Sequence, residues 1–282
     1  MIPSHLTGDR TTLESVSRQG CQTLYLGDKT ALCRVLGKYI MFVDTEDIGI
    51  TPHLCFNGYW ESWITMALAQ AVKPGWRAID IGANHGYYTL IMADAAGPEG
   101  AVLAVEPNPR LADLLKRNID VNGFPRTATP LSKAISDESA SRVRFVIPEG
   151  NRSMNGTLCG AGGAGDKVFE VDTITLDEAT AEWPRVDFIK MDAEGAEEGI
   201  WRGMRRTLEH NPGITIIMEV NSLKYREPRA FIRSILDDGF NLRYIDYDSN
   251  IKDVTEEQLV SNPSGLDWML FLRRDENLKI AP

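Results

Sequence analysis

Between residues 78 and 220 the chain alternates short apolar runs with longer helix-forming stretches, and that alternation constrains the fold more than any other feature. The runs AIDI (78–81), AVLAV (101–105), VDFIKM (186–191) and ITIIMEV (214–220) have strand length and no polar face. Residues 87–96, 111–122, 197–209 and 228–238 read as helices between or after them, and 61–72 as a helix leading in. Strands that alternate with helices require a parallel sheet covered on both faces. Residues 129–135 predict a further strand, and 143–147 and 168–175 predict two more flanking a Gly-rich loop at 160–165. Near the end, 241–246 and 268–272 predict strands joined by one helical stretch at 255–260, an arrangement that suits a closing antiparallel strand at the sheet edge. The expectation is an α/β, doubly wound, mostly parallel seven-stranded sheet over residues 56–282.

Residues 1–55 differ in character. CRVLGKYIMFV (33–43) and the following DTEDIGI predict short strands joined by turns, a β-rich extension that packs against the main domain. Cys21, Cys33, Cys55 and Cys159 form no CxxC pair, which argues against a zinc ribbon or a thioredoxin-type site. Residues 1–10 lack the apolar core of a signal peptide. The longest apolar run falls far short of the roughly 20 residues that span a bilayer. A cytoplasmic location with reduced thiols is expected. Lys and Arg number 30 against 40 Asp and Glu, a net charge of -10. Nucleic-acid binders carry a basic footprint because phosphate neutralisation dominates their affinity. The overall charge shows none; Arg202, Arg205 and Arg206 are the nearest candidate for a local patch and fit the solvated face of a helix better.

The stretch AIDIGANHGYYT (78–89) carries most of the functional information. A strand runs into Asp80, then Gly82 and Gly86 frame a tight turn around Asn84 that opens a helix. In open α/β sheets, ligands bind beyond the carboxyl ends of the strands, and glycine lets the backbone come close. A dinucleotide loop would read G-x-G-x-x-G. Here only Gly82 and Gly86 remain, and Asp80 would repel a pyrophosphate but attract an ammonium group. That favours S-adenosyl-L-methionine over NAD. Glu106 ends the next strand, where an acid can accept from both ribose hydroxyls, and Pro107 stiffens its turn. Glu106 could instead cap the helix that begins near Arg110. Beyond the third strand, Ile135 could pack on adenine and Asp137 could accept from its amino group, or this stretch is an ordinary strand-to-turn transition.

DIGANHGYYT (80–89), VEPNP (105–109) and VDFIKMDAEGAEEGIWRG (186–203) together resemble the FkbM family of methyltransferases. The resemblance runs from about residue 49 to 272 and is most specific at Lys190, Asp192, Glu194, Gly195 and Glu197. It implies a class I, Rossmann-like enzyme that uses S-adenosyl-L-methionine, mostly to methylate oxygen on sugars and other hydroxylated natural products. Residues 49–62 look like the family's lead into its first helix, which places Glu61 on the cofactor side. His85 stands where the family usually has an apolar residue.

Methyl transfer from a sulfonium needs a nucleophile held in near-attack geometry, and a hydroxyl acceptor also needs a base. Asp192 and Glu194 follow the strand 186–191 directly, and two neighbouring carboxylates can share a proton. Alternatively, with Glu219, they could hold a divalent metal ion through oxygen. Lys190 would orient one of them, or the set could be an ion-pair network at a helix N-terminus. His85 is a further base candidate, and His53 could reach the site. Residues 151–158 and the loop 160–165 could bind acceptor hydroxyls and form a lid. The expected acceptor is a small molecule or glycan. Two other readings stand beside this one. An NAD-dependent oxidoreductase would want a third loop glycine and a Tyr-x-x-x-Lys pair. A non-catalytic nucleoside-binding module would be expected to lose Asp80, Gly82 or Glu106.

Overall fold

The computed structural model describes residues 3–6, 8–147, 156–158, 163–263 and 265–274. Its main sheet has eight strands in the order Ile251–Asp253, Arg243–Ile245, Trp268–Leu272, Thr215–Val220, Phe188–Met191, Arg77–Ile81, Ala101–Val105, Ala128–Leu131. The five from Thr215–Val220 to Ala128–Leu131 run parallel. Trp268–Leu272 is antiparallel as expected, but it enters between Thr215–Val220 and Arg243–Ile245, with two strands outside it and not at the sheet edge. The eighth strand, Ile251–Asp253, corrects the expected seven. It is a short, fully exposed hairpin partner of Arg243–Ile245 with no apolar alternation to announce it.

Side chains alternate across a strand, and the two faces are covered by different elements. Ala78, Val102, Ala104, Phe188 and Ile217 face the helices Ser62–Ala71 and Tyr87–Ala96. Ile79, Leu103, Ile189, Ile216 and Leu270 face Trp201, Leu208, Phe231 and Ile235 on the other side. Both faces are buried, which is why these strands read as continuous apolar runs.

Two predicted elements divide. Residues 129–135 split into Ala128–Leu131, with Pro130 on the edge strand where a missing N–H is tolerated, and Ala134–Ile135. The latter joins a second, four-stranded sheet with Lys167–Ile174, Arg142–Ile147 and Thr157–Leu158. The helix expected over 197–209 becomes Glu197–Arg202 and Arg205–His210. Gly203 lies between them, so close to the Ser136 carbonyl that a Cβ would stand 2.1 Å from its oxygen.

The N-terminal segment is a three-stranded antiparallel meander, Thr23–Gly27, Thr30–Val35 and Tyr39–Asp44, flanked by helices Arg10–Gly20 and Ile50–Phe56. The first helix is an addition to the β-rich expectation; its N-cap Asp9 accepts from the Thr12 N–H at 3.0 Å. Leu13, Val35, Met41 and Leu54 belong to the same buried cluster as Leu90 and Leu115. Cys21, Cys33 and Cys55 are free thiols, and Cys159 lies outside the described residues.

The meander is fastened by two asparagines of the helix Pro109–Val121 and its C-cap. Asn118 accepts from the Phe42 N–H at 2.7 Å and donates to the Phe42 carbonyl at 2.9 Å and the His85 carbonyl at 2.8 Å. Asn122 treats Ile40 likewise, at 3.0 and 2.7 Å. These amides pair the strand's outer edge as another strand would. Asn118→Ala leaves three buried backbone groups without partners, and each unmade bond costs about 1 kcal/mol. Urea denaturation should therefore show a loss of about 2–3 kcal/mol; a loss under about 0.5 kcal/mol, the range of ordinary surface changes, would contradict this role.

Candidate active site

Strand order reverses between Arg77–Ile81 and Phe188–Met191. A cavity of about 300 Å³ opens there, at the carboxyl ends of the central strands, as the crevice rule requires. One end is apolar, walled by Leu111, Ala134, Ile135, Phe145 and Ile200. The other is polar, walled by Glu61, Lys190, Asp192, Glu194, Glu219 and Asp267. Glu106 and Pro107 also line it.

The loop after Arg77–Ile81 adopts positive φ at Gly82, Asn84 and Gly86, 75°, 52° and 92°. Its glycines serve packing against protein. A Cβ on Gly82 would lie 1.9 Å from the Asp192 carbonyl oxygen, and one on Gly86 would lie 2.7 Å from Leu115 Cδ1. Gly82 and Asn84 line the cavity, whereas Gly86 sits behind it as the left-handed N-cap of Tyr87–Ala96.

Glu106 is buried, and its two carboxylate oxygens are fixed separately. Oε2 accepts from the Asn84 N–H and Oε1 from the Asn108 N–H, both at 2.8 Å. Burial pushes its pKa up to about 7, against the pull of those two bonds. Helix capping, the other reading for this residue, falls to Asn108, whose side chain accepts from the Arg110 N–H at 3.0 Å.

Asp80 does not face the cavity. It is fully buried beneath the loop, where Oδ2 accepts from Thr89 Oγ1 at 2.6 Å. Its carboxyl is raised by burial, with the Lys190 charge acting the other way. This corrects the expectation that Asp80 meets a ligand ammonium directly. Lys190 lies with its Nζ 3.2 Å from Asp192 Oδ2 and 5.0 Å from the centre of the Tyr88 ring. Burial opposes its charge, but Asp192, Asp80 and Glu61 prevail and raise its pKa.

The carboxylates considered for a metal are differently engaged. Asp192 pairs with Lys190, while Lys224 Nζ reaches Glu194 at 2.9 Å, Glu219 at 2.7 Å and Asp267 at 3.5 Å. An ammonium thus occupies the place a divalent ion would need. Among the described residues no three His, Cys, Asp or Glu side chains come together as ligands. The residues do not fit a metal. Burial and the Asp192 charge push Glu219 up to about 9 while Lys224 pulls it down.

Two further expectations are corrected. His85 is buried, and its Nε2 accepts from the Asp44 N–H at 3.0 Å. Burial holds its pKa down near 4, so its basic nitrogen is already committed to the meander. Asp137 lies outside the cavity wall, gripped by Arg202 at 3.0 Å. The close approach of Gly203 to Ser136 brings that arginine's helix against it. His53 stacks edge-on against Trp60, 4.9 Å between ring centres, and does not line the cavity. Residues 151–155 and 159–162, which carry most of the expected acceptor loop and lid, lie outside the described residues.

Glu61 sits in left-handed backbone, φ 35° and ψ 66°, at the N-cap of Ser62–Ala71 and makes no capping bond. Its Oε2 accepts from the Tyr88 hydroxyl at 2.8 Å. Burial, with the Asp192 charge adding to it, pushes the carboxyl up to about 7. Lys224 and Asp267 carry no signal as site residues in the sequence, save that Asp267 stands just before a strand, whose Trp268 pairs with Val220.

A family model for the FkbM methyltransferase domain matches residues 80–274. The chain belongs to this family. Its doubly wound, mostly parallel sheet accords with that membership, and the oxidoreductase reading is set aside. Gly49, Ile50, Trp60 and Glu61 precede the matched region yet line the cavity. Over 54 residues the chain is 35% identical to protein-L-isoaspartate O-methyltransferase of Methanopyrus kandleri, covering 19% of this chain and 24% of that protein. The same enzyme of Hyperthermus butylicus is 27% identical over 88 residues, covering 29% and 30%. The chain thus spans less than a third of either relative. Among solved structures, Aeropyrum pernix fibrillarin with bound S-adenosyl-L-methionine aligns with 89% of this chain and 99% of its own at 15% identity, TM-score 0.45. Precorrin-6y C5,15-methyltransferase of Geobacter metallireducens aligns with 76% and 88% at 12% identity, TM-score 0.44. Among the described residues no helix is long and apolar enough to cross a membrane.

Proposed function

We propose that this FkbM-family methyltransferase methylates a hydroxyl oxygen of an uncharged, polyhydroxylated acceptor, a sugar or a glycosylated natural product. The observation that carries this reading is the charge of the polar end. Glu61, Asp192, Glu194, Glu219 and Asp267 line it, against Lys190 from the wall and Lys224 behind. An anionic acceptor would add like charge to an acidic wall, which is costly where water is excluded. A hydroxyl adds no charge and finds abundant acceptors there.

The residues present fit the cofactor. Glu106, both oxygens held by backbone N–H groups and its carboxylate on the cavity wall, suits a pair of ribose hydroxyls. Ile135, Leu111 and Phe145 make an apolar seat for adenine. The acidic end suits the positive charge on sulfur and the amino group. Bound there, S-adenosylmethionine supplies an electrophilic methyl group.

The test is mass-detected methyl transfer to a panel of methyl glycosides, set beside an isoaspartyl peptide. Methylated glycoside with unmodified peptide is the expected outcome. Methylation of the peptide carboxylate alone would overturn the reading.

A further inference from the structure

We infer that Glu61 is the carboxyl group facing the sulfonium, and that it takes the acceptor's hydroxyl proton when the methyl group moves. The inference rests on the cofactor and acceptor reading above and names the base that the sequence left open.

Three observations carry it. First, every other acid of the polar end has an ammonium beside it: Asp192 has Lys190 at 3.2 Å, and Glu194, Glu219 and Asp267 share Lys224 at 2.9, 2.7 and 3.5 Å. Protonating Asp192 would strand the buried Lys190, and the other three already share the Lys224 charge. Among the described residues, Glu61 alone of the set has no ammonium within ion-pair distance; its Oε2 accepts from the Tyr88 hydroxyl at 2.8 Å, and Lys190 lies farther off. Second, its backbone is strained. A non-glycine residue at φ 35° and ψ 66° is uncommon. At an N-cap a polar side chain ordinarily turns back to the first helical N–H groups. This one makes no such bond and lines the cavity instead. Strain of this kind persists where the surroundings over-determine it, often at functional positions. Third, the chemistry of the cofactor fixes the order along the cavity. Its sulfur is one carbon from the ribose, so a ribose at Glu106 puts the positive charge at the start of the polar end, which Glu61, Lys190 and Asp192 wall.

The charges then balance. Glu61 sees Tyr88 from the helix Tyr87–Ala96, Lys190 and Asp192 from the end of Phe188–Met191, and Asp267 from the segment before Trp268–Leu272. Burial sets its pKa about 7 in the free protein, so the carboxyl is partly protonated near neutrality. Arrival of a positive charge favours the carboxylate and releases that proton. In the transfer, the acceptor O–H breaks with its proton passing to Glu61, the O–C bond forms, and the C–S bond breaks with its electron pair left on sulfur. The sulfonium's positive charge and the carboxylate's negative charge vanish together, so the net charge of the cavity does not change.

Calorimetric titration at pH 7 with S-adenosylmethionine and S-adenosylhomocysteine, in phosphate and in Tris, counts the protons released on binding. Both ligands carry the same adenosine and amino-acid groups, so any contribution from Glu106 cancels in the comparison. The sulfonium ligand should release roughly half a proton more, and Glu61→Gln should remove that excess. Tyr88→Phe, which deletes a bond that favours the ionised form, should move the maximum of the excess to higher pH. Equal release by the two ligands would overturn the inference, since Glu61 would then pair with the amino group they share. An excess that survives in Glu61→Gln, or is unmoved in Tyr88→Phe, would overturn it too. Failure of either ligand to bind would instead strike the cofactor assignment on which the inference stands.

Discussion

Glu106→Ala is expected to weaken S-adenosylmethionine binding by about two orders of magnitude, with a loss of fold stability no larger than about 2 kcal/mol. Hydrogen bonds to a charged acceptor contribute about 1.5–3 kcal/mol each. Losing two from the ribose removes at least about 3 kcal/mol, or roughly a hundredfold in Kd. The Asn84 and Asn108 N–H groups also lose their acceptor, so the loop becomes less ordered before the ligand arrives. Glu106→Gln should be almost as damaging. Each oxygen of Glu106 accepts from a backbone N–H, and an amide would set its own NH₂ against one of them. Two opposed effects act on stability: the two unmade backbone bonds cost about 1 kcal/mol each, while burial raises the Glu106 pKa to about 7. A group so raised favours the folded state below its unfolded pKa, and that contribution fades as pH rises from about 4.5 through 7. At pH 7.5 removing the ionised buried carboxyl therefore offsets part of what the unmade bonds cost. A Kd within threefold of wild type would show that the ribose lies elsewhere.

Gly82→Ala should abolish measurable cofactor binding and destabilise the protein by about 3 kcal/mol, the sum of about 1–2 for a left-handed non-glycine residue and 1–3 for overpacking. Its Cβ would stand 1.9 Å from the Asp192 carbonyl oxygen, a backbone atom that cannot turn aside. Either the loop or the end of Phe188–Met191 must move, and both form the cavity wall. Gly97→Ala is the matched control. Its φ is also positive, 67°, but nothing lies within 4 Å of the added carbon. With ψ at −170° it lies in a region that is essentially glycine-only, so alanine should cost about 1–3 kcal/mol from backbone strain alone and leave Kd unchanged. Parallel denaturation and calorimetry of the two variants separate strain from collision. Equal effects at both positions would mean that the contact between Gly82 and Asp192 is unimportant.

What was legible in the sequence was what neighbours in sequence decide. The strand-to-turn junctions at Asp80 and Glu106 declare themselves because each needs only a buried run, a turn and a helix start. The pair Lys190 and Asp192 is legible for the same reason, being two residues apart at the end of one strand. Long-range contacts were not legible. Lys224 belongs to an ordinary polar turn, NSLKYR, and matters only because Asp267 and Glu219 are brought beside it by an antiparallel strand from far along the chain. His85 looked available as a base until Asp44, more than 40 residues earlier, donated to its ring. Asp137 looked free until the Gly203 contact delivered Arg202 to it. The helix Arg10–Gly20, RTTLESVSRQG, buries only Leu13 and Ser17, too few positions for a period to show.

The N-terminal segment is also tied to the site by charge. Arg110, at the start of the helix after Glu106, donates to the Asp44 carboxylate at 2.8 Å, while the Asp44 N–H donates to His85 in the cofactor loop. One residue of the meander thus touches both sides of the cavity's ribose end. We propose that residues 1–55 act as a brace for the cofactor loop, continuous with the domain that follows.

The most direct test of the account is calorimetric titration of the whole chain with S-adenosylmethionine, with NAD as the control. The account predicts one saturable site for the first ligand, no heat from the second, and competition by S-adenosylhomocysteine. No binding of S-adenosylmethionine, or saturable binding of NAD, would contradict it.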